Sequence, residues 1–326
     1  MPIPRSLPPQ VSFARAAGCF QSWLDDVALT LCEVVDIGGA RVVDAGVKAS
    51  GSVSAGLYLA RLCMADLADI RLNNAPSDWP VHDLVSVITD HPLQACLAAQ
   101  YAGWPLGVDD YFAMASGPMR SLRGREEMLE HLNLIVPADD TVSAVGVLES
   151  DSMPTRAAIE AICDQTGVRP ERVCLGVAPS SSIAGSIQVV ARCIETAMHK
   201  LHALDFDVAQ VLSATGHAPL PVPAKPGDMV EGIGRTNDAI LYGGAVTMWV
   251  DCDDDLIAHV IEQVPSLASS DHGRRFADVF RAYDHDFYKV DPMLFSPAKI
   301  TLNSLQTGKS FTAGDYRLDL LRPANA

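Results

Sequence analysis

Apolar residues recur along the chain at two spacings, one typical of helices and the other of strands. Helical spacing covers 12–25 and the segment GLYLARLCM that begins at Gly56. Strand-like alternation covers Val27–Val35 and Ala40–Asp44, which predicts a hairpin across Gly38-Gly39. The same spacings predict further strands at Val81–Thr89, Asp110–Ala115, Val142–Glu149 and Val173–Ala178, with helices over 93–102, 124–132 and 155–166 and a long helix ending near Leu204. Toward the end they predict a strand within Asn237–Val250 broken at Gly243-Gly244, helices over 254–263 and 274–283, and a hairpin from Lys299 to Thr312 that turns at Thr307-Gly308.

Strands and helices are thus intermingled from one end of the chain to the other, which predicts a mixed α/β protein. The length of 326 residues allows two ordinary domains or one large unit with a pocket between lobes, and no fixed repeat or long polar linker marks a border. We treat 1–326 as a single unit. The first ten residues, MPIPRSLPPQ, include four prolines and no apolar run. They predict a flexible arm over 1–10 and do not have the form of a secretory signal.

Composition narrows the possible functions. Hydrophobic residues make up 48% and charged residues 20% of the chain, as in an ordered globular protein. The formal net charge of −16 repels nucleic acid and anionic membranes, and no apolar window is long enough for a spanning helix. Eight scattered cysteines without a CxxC pair predict reduced, buried thiols and a cytoplasmic location.

The segment PSSSIAGSIQVVARCIETAMHKLH, residues 179–202, carries a polar stripe on an apolar helix. At 3.6 residues per turn the stripe consists of Gln188, Arg192, Glu195, His199 and His202. Two interpretations compete for its central charges. Arg192 and Glu195 are three apart and can form an ordinary surface ion pair. The apolar surroundings instead favour a cleft, where a carboxylate activates water and a guanidinium tunes its pKa.

Two other patterns suggest cofactors but fit them poorly. Glu195, His199 and His202 have a spacing that suggests zinc, yet there is no HExxH and no clear distant ligand. The segment GIGRTNDAILYGG, residues 232–244, resembles a dinucleotide loop but lacks the third glycine and a preceding strand. We interpret it as a turn that presents backbone N–H groups and Arg235 to an anion, the alternative being a plain glycine-rich connection.

The segment YDHDFYK at 283–289 is a charge run of the kind that normally forms a solvated loop, but its three aromatic residues disfavour plain solvent exposure. Two other polar segments, Thr89-Asp90-His91-Pro92 and YFAMASGP at 111–118, lie at predicted strand ends. Strand ends are common ligand positions in α/β sheets, although His91 is better explained as a turn histidine. The chain contains no G-x-S-x-G elbow and no P-loop, so nucleophilic serine chemistry has no support.

Five ordered segments together resemble the methenyltetrahydromethanopterin cyclohydrolase family. They are TDHPLQACLAAQYAGW (89–104), YFAMASGP (111–118), VAPSSSIAGSIQVVARCIETAMHK (177–200), GRTNDAILYGG (234–244) and YDHDFYKVDPMLFSPAKITLNSLQTGK (283–309). The resemblance implies an α+β fold of two intertwined lobes flanking a single substrate pocket, in a homotrimer. It also implies hydrolysis of the cyclic 5,10-methenyl cation to the 5-formyl derivative in one-carbon metabolism, without a metal or nucleotide cofactor.

By the same resemblance, Arg192 and Glu195 are the catalytic pair. A cationic methenyl carbon favours a nearby carboxylate over an oxyanion hole. The carrier's anionic tail requires local cations in an acidic protein, and the candidates are Arg120, Arg235 and Lys289. The remaining candidates for binding the pterin substrate are Gln188, Ser116, Thr236 and Asn237.

Three rival functions remain open. A hydride-transfer enzyme on the same carrier would need a nucleotide fingerprint, which the sequence lacks. A non-catalytic pterin-binding protein would not need the Arg192 and Glu195 pair. A zinc cyclohydrolase would lose activity with a chelator.

Overall fold

The computed structural model describes residues 11–101, 103–139 and 141–321, so the predicted arm over 1–10 lies outside the described residues. The strands are β1 (Glu33–Ile37), β2 (Ala40–Asp44), β3 (Asp69–Asn74), β4 (Asp83–Thr89), β5 (Trp104–Val108), β6 (Tyr111–Ser116), β7 (Ala144–Glu149), β8 (Val173–Ala178), β9 (Val211–Pro219), β10 (Ala245–Val250), β11 (Lys299–Ser304) and β12 (Ser310–Gly314). The α-helices are α1 (Phe13–Asp25), α2 (Val53–Cys63), α3 (Met119–Arg123), α4 (Glu127–His131), α5 (Arg156–Thr166), α6 (Ile183–Val190), α7 (Cys193–Ala203), α8 (Met229–Gly243), α9 (Asp254–Val260) and α10 (Phe276–Ala282). A π-helix spans Leu93–Gln100. No helix within the described ranges is long and apolar enough to cross a membrane.

The strands form two six-stranded mixed sheets. The first has the order β1-β2-β8-β7-β6-β5, and the second has the order β12-β11-β10-β9-β4-β3. The neighbours β2–β8, β7–β8 and β10–β11 are parallel, and the other neighbours are antiparallel. The predicted α+β class is confirmed.

The chain visits the two sheets in turn, and each of its three crossings runs through a helix. It passes from β2 through α2 to β3, from β4 through the π-helix to β5, and from β8 through α6 and α7 to β9. These crossing helices pack on one another, α2 against α6 and α7 against the π-helix. Residues from all three crossings therefore meet where these helices contact one another.

Local sequence explains the main elements. The central strands β7 and β8 are continuous apolar runs because both their faces are covered. Ser12, Ser52 and Ser182 cap α1, α2 and α6 by accepting hydrogen bonds from backbone N–H groups of the first turn. The predicted terminal hairpin is confirmed as β11 and β12.

The predicted strand Val27–Val35 is wrong over its first half. Residues 26–31 form turns, and β1 begins only at Glu33. The buried Trp23 indole donates to Thr30 Oγ1 at 3.1 Å, and the same hydroxyl donates to the Val27 carbonyl. These bonds fold the chain back at the point where an apolar alternation suggested a strand.

The predicted anion-binding turn at 232–244 is also wrong, because Met229–Gly243 forms α8. Gly232 and Gly234 allow α8 to pack closely against neighbouring parts of the chain. A Cβ at Gly232 would lie 2.7 Å from Ser181 N, and one at Gly234 would lie 2.7 Å from the Ala277 Cβ. Tertiary packing therefore overrides the low helix propensity of glycine here.

A pair of glycine substitutions tests this packing. We expect Gly234→Ala to destabilise the protein by about 1–3 kcal/mol because α8 must move away from Ala277. The matched Gly18→Ala change lies in α1 with nothing within 4 Å, and we expect about 0.5–1 kcal/mol of stabilisation. Thermal unfolding of the two variants gives the comparison. Equal melting temperatures would show that α8 does not pack as described.

Candidate active site

The predicted long helix is two helices that meet at Arg192. Helix α6 ends at Val190, α7 begins at Cys193, and Arg192 has φ −86° and ψ 4°. The Ala191 carbonyl at this junction accepts a hydrogen bond from Gln100 Nε2 at 3.2 Å. The break thus keeps its buried backbone paired while it directs the Arg192 side chain between the crossing helices.

Arg192 is only 7% exposed, and its guanidinium donates to groups from three different elements. Its Nη1 donates to the Gln100 carbonyl. Its Nη2 donates to Ser116 Oγ at 3.0 Å and to Gln188 Oε1 at 3.1 Å. The structure therefore brings together three of the sequence-predicted residues, Ser116, Gln188 and Arg192.

Two further residues of this cluster escaped the sequence reasoning. Gln188 Nε2 donates to Glu149 Oε2 at 3.2 Å, so a second carboxylate joins the cluster from the end of β7. Burial raises the pKa of Glu149, and the Arg192 charge acts in the opposite direction. Cys63, at the end of α2, places its Sγ 3.4 Å from Ser116 Oγ and 3.8 Å from Arg192 Nη2. Glu149 did leave a signal, since it is the one charged residue in the apolar run of β7.

Glu195 lies in the first turn of α7 and is 4% exposed. Within the described residues its carboxylate accepts no hydrogen bond, and Arg192 lies beyond ion-pair distance of it. Burial raises the pKa of Glu195 to about 7, while the positive charges of Arg192 and Arg120 act to lower it. The interpretation as a surface ion pair is therefore wrong: both groups are buried, and their coupling acts through space. A carboxylate that titrates near neutral pH is suited to accept and return a proton.

Arg120 is fully buried and donates to carbonyls at the same end of the π-helix as Arg192. It pairs with Glu126, and its guanidinium lies 4.9 Å from the Tyr101 ring centroid. Burial lowers the pKa of Arg120 to about 9. Its exposed surface is nil and its guanidinium contacts the Leu97 and Ala99 carbonyls, so it does not line a solvent-facing wall.

The other binding candidates lie on α8 and in the 287–289 helical turn. Arg235 donates to Glu231 and to the carbonyls of Val222 and Pro223. The side chains of Thr236 and Asn237 donate to carbonyls of the preceding helical turn. Lys289 is exposed and lies 3.7 Å from Asp284. None of these four has a hydrogen bond or ion pair with Arg192 or Glu195 in the described part of the chain.

The two histidines of the stripe do not converge with Glu195 as ligands. The His199 ring stacks on Tyr101 with centroids 4.7 Å apart, and burial lowers its pKa to about 4. Burial also lowers the pKa of His202. Over the described ranges, no three His, Cys, Asp or Glu side chains are grouped so that they could hold a metal ion.

A large open recess lies elsewhere on the surface. Its volume is about 980 Å³, and helices α1 and α2 line it together with β3 and the end of β4. Asp90 and His91 of the Thr89-Asp90-His91-Pro92 segment border it, whereas Arg192 and Glu195 do not. The recess is therefore separate from the cluster around Arg192 and Glu195.

Comparison with known proteins gives consistent matches over nearly the whole chain. The family model described as "Cyclohydrolase (MCH)" matches residues 15–324. A Rhodopirellula baltica protein named methenyltetrahydromethanopterin cyclohydrolase is 58% identical, over 94% of this chain and 92% of its own. Proteins of the same name from Methylobacillus flagellatus and Methanococcoides burtonii are 44% and 40% identical; the alignments cover 87% and 90% of this chain and 85% and 90% of theirs.

Proposed function

The chain belongs to the methenyltetrahydromethanopterin cyclohydrolase family, and from that premise we propose how its buried charges carry out the reaction. As a member of this family it is a hydrolase that acts on a cyclic amidine C–N bond. The substrate in this proposal is the 5,10-methenyl-tetrahydromethanopterin cation and the product is its 5-formyl derivative. The observation that carries the residue assignment is the buried Glu195 carboxylate, which has no hydrogen bond in the described residues and a pKa raised to about 7.

In the first step, Glu195 accepts a proton from a water molecule as that water attacks the methenyl carbon. The carbon is already cationic, so the attack needs a base and a positioned water more than an oxyanion hole. A new C–O bond forms, the positive charge on the amidine is lost, and Glu195 becomes the neutral acid. A carboxylate beside this site also favours binding of the cation.

In the second step, the protonated Glu195 returns its proton to N10 as the bond from N10 to the former methenyl carbon breaks. The hydroxyl proton leaves as the carbonyl of the formyl group forms, and the Glu195 carboxylate takes it up and releases it to solvent. Overall, the substrate cation and one water molecule give the formyl product and one proton, so atoms and charge balance. The same residue acts as base and then as acid, which requires a pKa near the working pH.

Arg192 has two roles in this proposal. Its charge opposes the effect of burial on Glu195, so that part of the enzyme holds an ionised carboxylate at neutral pH. Its Nε–H has no partner in the described residues and is available to the oxygen of the tetrahedral intermediate. Ser116 and Gln188 orient the guanidinium, and Glu149 fixes the Gln188 amide.

We further propose that the reaction needs no metal and no nucleotide cofactor. The methenyl carbon carries its own positive charge, so a Lewis acid adds little to its electrophilicity, and no electrons are transferred. Full activity after exhaustive chelation is the expected result. Loss of activity that Zn²⁺ restores would refute this and revive the zinc alternative.

For the anionic tail of the carrier we propose Lys289 and Arg235 as the binding cations. Lys200 on α7 donates to the Met293 carbonyl, which fastens the segment after Lys289 to the helix that carries Glu195. The residues on α8, including Thr236 and Asn237, lie on a helix that packs against α6. Both groups are therefore attached to the elements around the buried cluster.

Substitution of Lys289 tests this assignment. We expect Lys289→Ala to raise KM for the pterin substrate about tenfold with little change in kcat, because one charge-assisted contact is worth about 1.5 kcal/mol. Lys309→Ala is the matched control, since Lys309 is also exposed and paired with an aspartate, Asp254. A KM equal to that of the wild type would remove Lys289 from the binding site.

We also propose that the protein is a cytoplasmic homotrimer, as the family resemblance implies. Leu29, Leu31, Val34 and Val35 are exposed on and beside the edge strand β1, which supports burial of this face by another subunit. The eight cysteines are unpaired, which supports a reducing compartment. Sedimentation of the 34.8 kDa chain as a monomer at micromolar concentration would contradict the trimer.

A further inference from the structure

The carboxyl end of the π-helix Leu93–Gln100 holds two arginines. The Leu97 and Ala99 carbonyls accept from Arg120 Nη1 at 3.1 and 3.4 Å. The next carbonyl along the chain, at Gln100, accepts from Arg192 Nη1. The last carbonyls of any helix lack partners within it and carry partial negative charge, so they favour cations. All eight residues of this π-helix are buried, which places both guanidinium groups inside the protein.

The same helix end also fixes the start of α3. Ser121 Oγ donates to the Ala98 carbonyl at 3.0 Å, and Gly117 N donates to the Ala99 carbonyl at 2.8 Å. The guanidinium of Arg120 and its chain neighbours Gly117 and Ser121 are therefore all hydrogen-bonded to carbonyls within residues 97–99. A π-helix is uncommon and is often found at functional sites.

We propose that Arg120 is a positioning residue for Glu195, held with Arg192 on one helix end so that two positive charges act on the catalytic carboxylate. Glu126 pairs with Arg120 and sets how much of its charge reaches Glu195. This inference rests on the proposed role of Glu195 as acid and base. It replaces the predicted contact between Arg120 and the carrier's tail, which a side chain with no exposed surface cannot make.

Few other groups can change their charge beside Glu195 near neutral pH. The ionisable neighbours of Glu195 are Cys63 on α2, Cys96 on the π-helix and Cys193 on α7. His199 on α7 and Tyr101 after the π-helix lie near Arg120, and Glu149 on β7 lies near Arg192. The pKa of each of the three thiols is raised by burial, so they stay neutral. The pKa of His199 is lowered to about 4, so this ring also stays neutral above pH 5. Glu149 is the other carboxylate, and it faces Gln188.

The direction of the effect follows from these charges. Arg120 favours the ionised form of Glu195, so its removal raises the pKa of Glu195 above its present value of about 7. Neutralising Glu126 removes a negative charge and leaves Arg120 unpaired, so it lowers the pKa of Glu195. Hydrolysis begins with the carboxylate form, so activity rises with pH through this pKa.

The test is the pH dependence of kcat between pH 5.5 and 9 in Arg120→Met, Arg120→Lys and Glu126→Gln. On the acidic side of the profile kcat rises with pH, and we call this rise the acidic limb. We expect its midpoint to move up by about one pH unit in Arg120→Met and down by about half a unit in Glu126→Gln. Arg120→Lys keeps the charge and should return the limb close to its wild-type position. Arg123→Gln is the matched control, because Arg123 lies on the same helix and 3.6 Å from the same Glu126, yet Arg120 remains in place.

A purely structural role for Arg120 would lower kcat without moving the limb, and an unmoved limb in Glu126→Gln would overturn the inference. Glu126→Gln is nearly isosteric, so it decides the question even if Arg120→Met does not fold. The Glu195→Gln variant distinguishes failure of the proposed role of Glu195 from failure of the proposed role of Arg120. If Glu195→Gln keeps the wild-type rate and limb, the proposed function of Glu195 fails; if it is inactive but the limb stays fixed in the other variants, only the role of Arg120 fails.

Discussion

Glu195→Gln is expected to lower kcat for hydrolysis of the methenyl cation about a thousandfold, within the range of about 10²–10⁴ typical of a general acid–base residue. The amide keeps the size of the side chain but can neither accept a proton from water nor return one to N10. The side chain is buried and accepts no hydrogen bond in the described residues, so the substitution leaves the packing of α7 intact. KM should change much less than kcat, apart from the loss of one attractive charge beside the cation.

The comparison variants for this position are Glu195→Asp and Thr196→Val. The shorter carboxylate of aspartate should keep part of the activity. Thr196 is the next residue on the same helix and donates only to the Cys193 carbonyl, so its loss should leave kcat near the wild-type value. A Glu195→Gln enzyme that is folded and turns over at the wild-type rate would reject the assignment.

Arg192→Lys is expected to lower kcat about a hundredfold or more. Lysine keeps the positive charge but offers one ammonium group in place of a planar fork, so it cannot donate to Gln100, Ser116 and Gln188 together. Arg192→Ala should lower kcat further, because Glu195 then loses the larger of its two stabilising charges and its pKa rises above about 7. The acidic limb of the pH profile should therefore move to higher pH in Arg192→Ala.

Stability must be measured beside the rates. Arg192→Ala leaves buried acceptors without a donor, each at a cost of about 1–3 kcal/mol, so thermal unfolding should show a lower melting temperature. Arg156→Lys is the control, since Arg156 is an exposed arginine that pairs with Glu160. Wild-type kcat in both Arg192 variants would exclude Arg192 from catalysis.

Much of the fold could be read from short-range patterns. The strands β7 and β8 are continuous apolar runs, and β11 and β12 alternate on either side of a Thr-Gly turn, so their spacing is visible in the sequence. The strands β3, β5 and β9 were not predicted. Of these, β3 and β5 are edge strands. In β3, Asp69, Arg71, Asn73 and Asn74 leave little apolar signal, and β5 contains Pro105 and Gly107, which are disfavoured in strands.

The candidate site also contains residues that local spacing predicted and residues that it could not predict. Gln188 and Arg192 were found together because a four-residue spacing keeps them on one face even where α6 and α7 break between them. The hydrogen bond between Gln188 and Glu149 joins residues 39 apart, so no local pattern reports it. The π-helix LQACLAAQ is buried on every side, and its sequence does not distinguish it from an α-helix. The row of carbonyls that accepts from Arg120 and Arg192 belongs to the backbone and leaves no trace in residue type.

The glycine-rich segment at 232–244 illustrates the opposite error. Two glycines followed by Arg235 suggested a turn, because glycine is a poor helix former. The structure uses them where α8 approaches the Ser180–Ser181 turn and Ala277. The need for close approach comes from residues distant in sequence, and composition alone could not reveal it.

The most direct test of the account is to mix the purified protein with methenyltetrahydromethanopterin and to follow the loss of the methenyl chromophore. We expect catalysed loss of absorbance with formation of the formyl product, in the absence of added metal or nucleotide and without the appearance of a reduced cofactor. A folded protein that leaves the absorbance decaying at the uncatalysed rate would contradict it.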